Sequence, residues 1–110
     1  MEIKKIRDGA NLTVALVGRL DAVTAIELDK NLSAEISATD NLTIDLKDLV
    51  YIASAGLRIL LKLKKRMDIQ GAMKVINLSR EVREVFDMTG FSDLLLPAEE
   101  KHFDGFSVSF

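Results

Sequence analysis

Residues 42–67 constrain the fold of this chain more than any other stretch. Apolar and polar residues alternate over residues 42–46, which predicts a β-strand, and Lys47-Asp48 interrupts the run before a second apolar group. Over residues 54–69 the apolar residues recur at intervals of three and four, which predicts an amphipathic helix. A strand followed closely by a helix is typical of α/β domains.

Two short apolar runs precede this stretch, over residues 3–7 and 12–17. The Asp8-Gly9 pair between them is typical of the turn of a β-hairpin, so we expect two antiparallel strands. The second run carries no charge on either side of its alternation. A strand that is uncharged on both faces is expected inside a covered sheet.

Two further helices are predicted from capping signals. Thr24 and Glu27 have the spacing of a capping box, in which each residue's side chain accepts a hydrogen bond from the backbone amide of the other. We therefore expect the first helix to begin at Thr24. Ser79 is the predicted N-cap of a third helix over residues 80–89, and Gly90 is of the type that commonly ends a helix.

Short apolar runs over residues 72–76 and 94–96 complete the predicted elements. The order is strand, strand, helix, strand, helix, strand, helix, strand. It predicts one α/β domain over residues 1–110, with a mostly parallel sheet of about five strands, an antiparallel edge hairpin and three or four helices. At 110 residues and 48% hydrophobic composition, the chain has enough apolar residues for one core. Residues 98–110 form a tail, strand-like at its end, whose structure the pattern does not decide.

The composition limits the classes of function. The formal net charge is only −2, so no overall field favours nucleic acid or a strongly anionic partner. The chain has no cysteine, which excludes disulfides and thiol chemistry and agrees with a reducing compartment. Neither a signal peptide nor an apolar run of membrane-spanning length is visible. We therefore expect a cytoplasmic protein that acts through a local surface.

The motifs of common catalytic sites are missing. Phosphate-binding loops need several glycines between strand and helix, whereas Gly56 stands alone. Ser54 has Gly56 two residues after it but Ile52 two residues before it, so it does not match a nucleophile elbow, which has glycine at both positions. His102 is the one histidine, so a metal site would need a cluster of carboxylates. We expect no enzyme activity, no cofactor and no metal.

Ser54 has two interpretations. A serine just before an apolar helix is commonly an N-cap, a contribution of about 1 kcal/mol. Its neighbours favour an exposed functional hydroxyl. Gly56 costs the first helical turn up to about 1 kcal/mol relative to alanine, which indicates close approach by another backbone or a ligand. Ala53 and Ala55 keep the surroundings small, and Asp21 is expected at the same edge of the parallel sheet.

Acidic, aromatic and basic residues also lie near this turn. Asp21 either complements the dipole of the first helix or belongs to the same site as Ser54. Tyr51 and Ile52 are expected in the core. The second helix carries a stripe of basic residues, which is usually a solvated face and alternatively a docking surface: Arg58, Lys62, Lys65 and Arg66.

Three segments stand out when taken together. They are Gly18-Arg19-Leu20-Asp21, the run over residues 51–61 that contains Ser54-Ala55-Gly56-Leu57, and the run Val85-Phe86-Asp87-Met88-Thr89-Gly90-Phe91. With Ile44-Asp45-Leu46 they closely resemble the STAS domain of bacterial anti-sigma factor antagonists, over roughly residues 1–97. The resemblance implies strands in nearly sequential order, with helices packed on one side of a single-wound sheet.

The resemblance also implies a switch. In that family the serine that matches Ser54 is phosphorylated by a partner that is both an anti-sigma factor and a serine kinase. The unphosphorylated protein binds this partner and displaces the sigma factor, and a phosphatase restores the binding form. The contacts with the partner are accordingly expected at Asp21, Ala53, Ser54, Ala55, Gly56 and Arg58. The commonest motif has an acidic residue and a second serine where this chain has Ala53 and Ala55, so Ser54 is the only hydroxyl of the turn.

Two other functions remain as alternatives. The first is a constitutive STAS scaffold or adaptor, a subunit of a signalling or transport complex that docks a partner without being modified. The second is a small nucleotide-binding α/β domain that uses Asp21 and Ser54.

Overall fold

The computed structural model describes residues 1–96. The strands are β1 (Glu2–Asp8), β2 (Asn11–Leu20), β3 (Asn41–Ile52) and β4 (Ala72–Ile76), and the helices are α1 (Ala22–Ser33), α2 (Ser54–Gln70), α3 (Arg80–Thr89) and α4 (Phe91–Leu95). A single 3₁₀ turn over Ile36–Ala38 follows α1.

The four strands form one sheet in the order β1-β2-β3-β4. The pair β1 and β2 is the predicted antiparallel hairpin, closed by Gly9 at φ 62°, and β2, β3 and β4 are parallel. Because each crossover leads to the next strand in the same direction, crossovers of the usual hand place α1 and α2 on one side of the sheet. The two helices pack against each other there. The predicted mostly parallel α/β sheet with an antiparallel edge is therefore confirmed.

The core lies between the helices and one face of this sheet. Alternate residues of the central strands are fully buried: Leu12, Val14 and Leu16 of β2, and Leu42, Ile44 and Leu46 of β3. The intervening residues of β2, namely Thr13, Ala15 and Val17, are only half-buried. The expectation that β2 is covered on both faces is therefore wrong, because small and β-branched residues without charge also suit a half-exposed sheet face.

The predicted strand over residues 94–96 is wrong, so within residues 1–96 the sheet has four strands rather than about five. Gly90 has φ 81°, ends α3 as predicted and begins α4. Leu95 is buried while Leu94 is exposed, and the amide of Leu96 donates to the carbonyl of Ser92 as in a helical turn. Three adjacent leucines are too few to distinguish a period of two from one of 3.6. The predicted tail, residues 98–110, lies outside the described residues.

Strand β3 is continuous through Lys47-Asp48, where an interruption was expected. Ala15 of β2 pairs with Asp45, but Val17 pairs with Asp48, so β3 contains one extra residue at this point. A second extra residue precedes the pairing of Arg19 with Tyr51. Such bulges keep a strand in the sheet while changing the direction in which its later side chains point.

Helix α1 begins at Ala22, two residues earlier than predicted. The capping box is formed by Asp21 and Thr24, not by Thr24 and Glu27. The Asp21 carboxylate accepts hydrogen bonds from the amides of Val23 and Thr24, each 3.1 Å long, and the Thr24 hydroxyl accepts one of 2.8 Å from the amide of Asp21. By contrast, Ser79 caps α3 as predicted, accepting from the amide of Val82 at 3.3 Å.

Candidate functional site

The candidate site lies where β2 and β3 end side by side. Leu20 pairs with Ile52 at the last position of both strands. One residue further, the amide of Ala53 donates a hydrogen bond of 2.9 Å to the carbonyl oxygen of Leu20. This bond holds the start of α2 against the end of β2. Asp21, which follows Leu20, and Ser54, which follows Ala53, therefore leave the sheet in adjacent positions.

Ser54 is the first residue of α2 and is exposed. The N-cap position belongs to Ala53, whose backbone is extended, with φ −100° and ψ 172°. No side chain accepts a hydrogen bond from the first turn of α2, and the Ser54 hydroxyl has no hydrogen-bond partner among residues 1–96. The N-cap interpretation of Ser54 is therefore wrong. The hydroxyl is exposed at the start of a helix whose first turn has no side-chain cap.

Gly56 permits this arrangement. A Cβ atom at this position would lie 2.8 Å from both the carbonyl oxygen and the Cγ of Leu20, and 2.9 Å from Cγ1 of Ile52. The close approach expected from the cost of a helical glycine is thus an approach of backbone, not of a ligand. Gly56 is buried and faces the sheet, so it lies beneath the surface that Ser54 occupies.

Asp21 is engaged as the N-cap of α1. The backbone N–H of Thr24 holds the pKa of the Asp21 carboxyl below its usual range; partial burial opposes this shift, and the Thr24 hydroxyl, the Val23 N–H and the Arg19 guanidinium support it. These contacts give the carboxylate a structural role at the edge of the site. They also fix its position directly after Leu20, the residue whose carbonyl accepts from the Ala53 amide.

Arg19 and Tyr51 are functional candidates that the sequence interpretation missed. The guanidinium carbon of Arg19 lies 4.0 Å from the centre of the Tyr51 ring, a cation–π contact. Tyr51 is 41% exposed, and its expected place in the core is wrong, whereas Ile52 is buried as expected. The two extra residues in β3 bring Tyr51, rather than Leu49, opposite Arg19. The sequence signal that could have identified them is their position: each is the second-last residue of its strand, just before the turns that contain Asp21 and Ser54.

An apolar groove lies between α1 and α2 and begins at Ala55, next to Ser54. It is lined by Ala22, Ala25, Ile26, Asp29, Lys30, Ala55, Arg58, Ile59 and Lys62. Ile26 is 59% exposed and neighbouring Val23 is 67% exposed, both unusually high for large apolar side chains. Of the predicted partner contacts, Ala55 and Arg58 line this groove and Ala53 is half-buried at its end.

Over residues 1–96, no three side chains of His, Cys, Asp or Glu are grouped so as to hold a metal ion. His102 lies outside that range. None of the helices described has the length and apolar character needed to cross a membrane.

Known proteins share this sequence pattern and fold. Residues 2–104 match the model of the STAS domain family. The chain is 33% identical over 92 residues to BtrV of Bordetella bronchiseptica, which is named provisionally as an anti-sigma factor antagonist; the match covers 82% of this chain and 79% of BtrV. It is 31% identical over 86 residues to the anti-sigma-B factor antagonist of Bacillus subtilis, covering 77% of this chain and 79% of that protein.

The solved structures of the anti-sigma factor antagonist SpoIIAA have the same fold. Its unphosphorylated form matches with a TM-score of 0.76 at 20% identity, covering 91% of this chain and 90% of SpoIIAA. Its phosphorylated form matches with a TM-score of 0.69 at 19% identity, covering 91% of this chain and 94% of the SpoIIAA chain.

Proposed function

The chain belongs to the STAS domain family, and from this membership and the geometry at Ser54 we propose that it is an anti-sigma factor antagonist switched by phosphorylation. Unphosphorylated, it binds an anti-sigma factor that is also a serine kinase, and so releases a sigma factor. Phosphorylation of Ser54 ends this binding, and a serine phosphatase restores it. The protein is a cytoplasmic substrate and binding partner, not an enzyme.

The observation that carries the proposal is the exposed Ser54 hydroxyl, which has no hydrogen-bond partner in the part of the chain that the structure describes. An N-capping serine would have to lose a stabilising bond before it could enter a kinase active site. Here the oxygen attacks the γ-phosphorus of ATP, its proton passes to a base of the kinase, and ADP leaves. Because Ala53 and Ala55 carry no hydroxyl, Ser54 is the only acceptor in this turn.

The fold tolerates the product. A phosphate on Ser54 adds about −1.5 to −2 charge at the N-terminus of α2, where the dipole and the amide groups of the first turn favour an anion. The Gly56 contact with Leu20 is on the opposite side of the turn and is unaffected. The modification therefore changes the surface of the domain and not its core.

The surroundings of Ser54 explain why the partner is released. Val23 and Ile26 of α1 and Ala55 and Ile59 of α2 form an apolar surface beside it, suited to close packing against a protein. Close packing would strip water from a phosphate at Ser54. An unpaired buried dianion is strongly unfavourable, so the contact that favours the unmodified protein excludes the modified one.

The test is phosphorylation of the purified protein by its candidate anti-sigma factor kinase and ATP, with the phosphate mapped by mass spectrometry. We expect a single phosphate on Ser54, and no incorporation into Ser54→Ala. Thr24 and Ser79 are internal controls, since their hydroxyls are occupied in helix caps. Phosphate on either of them would contradict the proposal for Ser54, and no phosphate on the wild-type protein would contradict it and favour a constitutive scaffold.

A further inference from the structure

The outward face of α2 continues beyond the candidate site for the length of the helix. Residues at intervals of three and four form a shallow surface, here called the basic stripe: Arg58, Leu61, Lys62, Lys65, Arg66 and Ile69. At 1.5 Å per residue the stripe is roughly 16 Å long, about three helical turns. Arg58 belongs both to this stripe and to the groove beside Ser54, so the two surfaces are continuous.

Most of the positive charge on the stripe is not neutralised. Lys62 is paired with Asp29 of α1 at 2.9 Å. Within residues 1–96, Arg58, Lys65 and Arg66 form no ion pair. Since the whole chain has a formal net charge of −2, this concentration of cations is a local feature and does not reflect the composition. A surface of this kind attracts and orients an acidic partner.

The stripe also contains apolar side chains that an ordinary solvated helix face does not need. Ile69 is 88% exposed in the last turn of α2, and Leu61 is half-buried two turns earlier. Lys65 lies between them on the same face, and its aliphatic stem extends the apolar strip. Cationic groups with apolar groups on either side, along one helix face, fit a segment that has both apolar and acidic residues on one side.

We infer that the basic stripe docks an acidic amphipathic segment of the same anti-sigma factor that contacts Ser54; this inference rests on the proposed function. A second copy of the chain would bring like charges together across the stripe. A lipid surface would need insertion, but the other face of α2 is fixed in the core by Leu57, Leu60, Leu63 and Met67. The stripe would raise the rate at which the partner associates and would orient it. The apolar groove provides the surface that phosphorylation blocks.

The test compares two charge-reversal variants for binding to the candidate anti-sigma factor kinase. Lys65→Glu/Arg66→Glu changes the stripe, and Lys4→Glu/Lys74→Glu makes the same change in net charge on the opposite side of the sheet. We expect the stripe variant to bind about ten-fold more weakly at low salt, chiefly through a slower association rate, and the control variant to bind as the wild type does. Lys65→Gln/Arg66→Gln, which keeps the helix without adding acidic groups, should show a smaller loss in the same direction.

Each other outcome has a defined meaning. If the wild-type protein does not bind the kinase at all, both the proposed function and this inference fail. Equal affinities for the wild type and for a stripe variant that retains the wild-type circular dichroism spectrum would overturn this inference alone. The inference would also be overturned if the charge reversal instead weakened binding to phosphatidylglycerol vesicles or duplex DNA, or changed the dimerisation of the chain. Loss of the effect on deletion of residues 98–110 would overturn it as well.

Discussion

The carbonyl oxygen of Leu20 accepts a hydrogen bond of 2.9 Å from the amide of Ala53, and the same oxygen would lie 2.8 Å from a Cβ on Gly56. One atom at the end of β2 therefore determines both where α2 begins and which residue its first turn can contain. Ser54 lies between the two contacts, and its hydroxyl forms no hydrogen bond within residues 1–96. The exposure of the hydroxyl follows from the close fit beneath it.

Gly56→Ala should destabilise the protein. In an exposed helix this change is stabilising by up to about 1 kcal/mol, but here the methyl group would displace the backbone of Leu20. We expect the free energy of unfolding in urea to fall by about 1–3 kcal/mol, the range for overpacked sites. A free energy equal to or above that of the wild type would mean that α2 does not approach β2 this closely.

Asp21→Asn should remove a pH-dependent part of the stability. The pKa of the Asp21 carboxyl is lower in the folded protein than its ordinary value of 3.8, so the ionised form stabilises the fold above that pH. The contribution should disappear as the pH falls through the lower folded value. Because asparagine also caps helices well, the variant isolates the charge.

The measurement is the midpoint of thermal unfolding of both proteins between pH 7 and pH 2. The wild type should unfold at a higher temperature at neutral pH, and the two midpoints should converge at the acid end. A difference between the two midpoints that stays constant from pH 7 to pH 2 would contradict a role for ionisation of Asp21.

Local patterns in the sequence predicted the elements that local physics determines. The hairpin at Asp8-Gly9 and the third helix between Ser79 and Gly90 depend on turn and cap chemistry within a few residues, and both are present. The first helix shows the limit of such patterns. Thr24 is three residues from both Asp21 and Glu27, so two capping boxes were possible, and only the length of β2 decides between them.

The composition of the site was less predictable because it depends on pairing between strands. The pairing of Tyr51 with Arg19 depends on two bulges in β3, which no local pattern of residues 41–52 indicates. Likewise, Ser54 precedes an apolar helix as an N-cap does, but Ala53 occupies that position because its amide is bound to Leu20. Register is a property of two strands together, so it enters only with the fold.

Tyr51→Ala should weaken binding of the anti-sigma factor kinase more than it weakens the fold. The ring is partly exposed, contacts Arg19 and lies at the same sheet edge as Ser54, and tyrosines of this kind frequently dominate interfaces. We expect a loss of affinity of about ten-fold, measured by calorimetry, with Tyr51→Phe close to the wild type. Met88→Ala, which removes an exposed apolar side chain from α3, serves as the control and should leave affinity unchanged.

Ile26→Ser should show that the groove between α1 and α2 belongs to the same interface. Replacing this exposed side chain with a small polar one should change the free energy of unfolding by less than about 1 kcal/mol, as is usual for surface positions. It should lower affinity for the kinase several-fold through faster dissociation, since apolar contact is lost after docking. A matched change at exposed Ile6, Ile6→Ser on β1, should have no effect on affinity. Equal effects of the two changes would mean that the groove has no special part in binding.

Ser54→Asp and Ser54→Ala should separate the stability of the domain from its affinity for the partner. Aspartate at the first position of α2 interacts favourably with the helix dipole, and alanine removes a hydroxyl that makes no hydrogen bond within residues 1–96. Both variants should therefore unfold at urea concentrations close to that of the wild type, Ser54→Asp at the same or a slightly higher concentration. For binding they should differ: Ser54→Ala should retain the wild-type affinity for the kinase, whereas Ser54→Asp should bind at least about ten-fold more weakly, because a carboxylate is desolvated at the contact. A Ser54→Asp variant that is folded and binds as tightly as Ser54→Ala would show that this hydroxyl lies outside the interface.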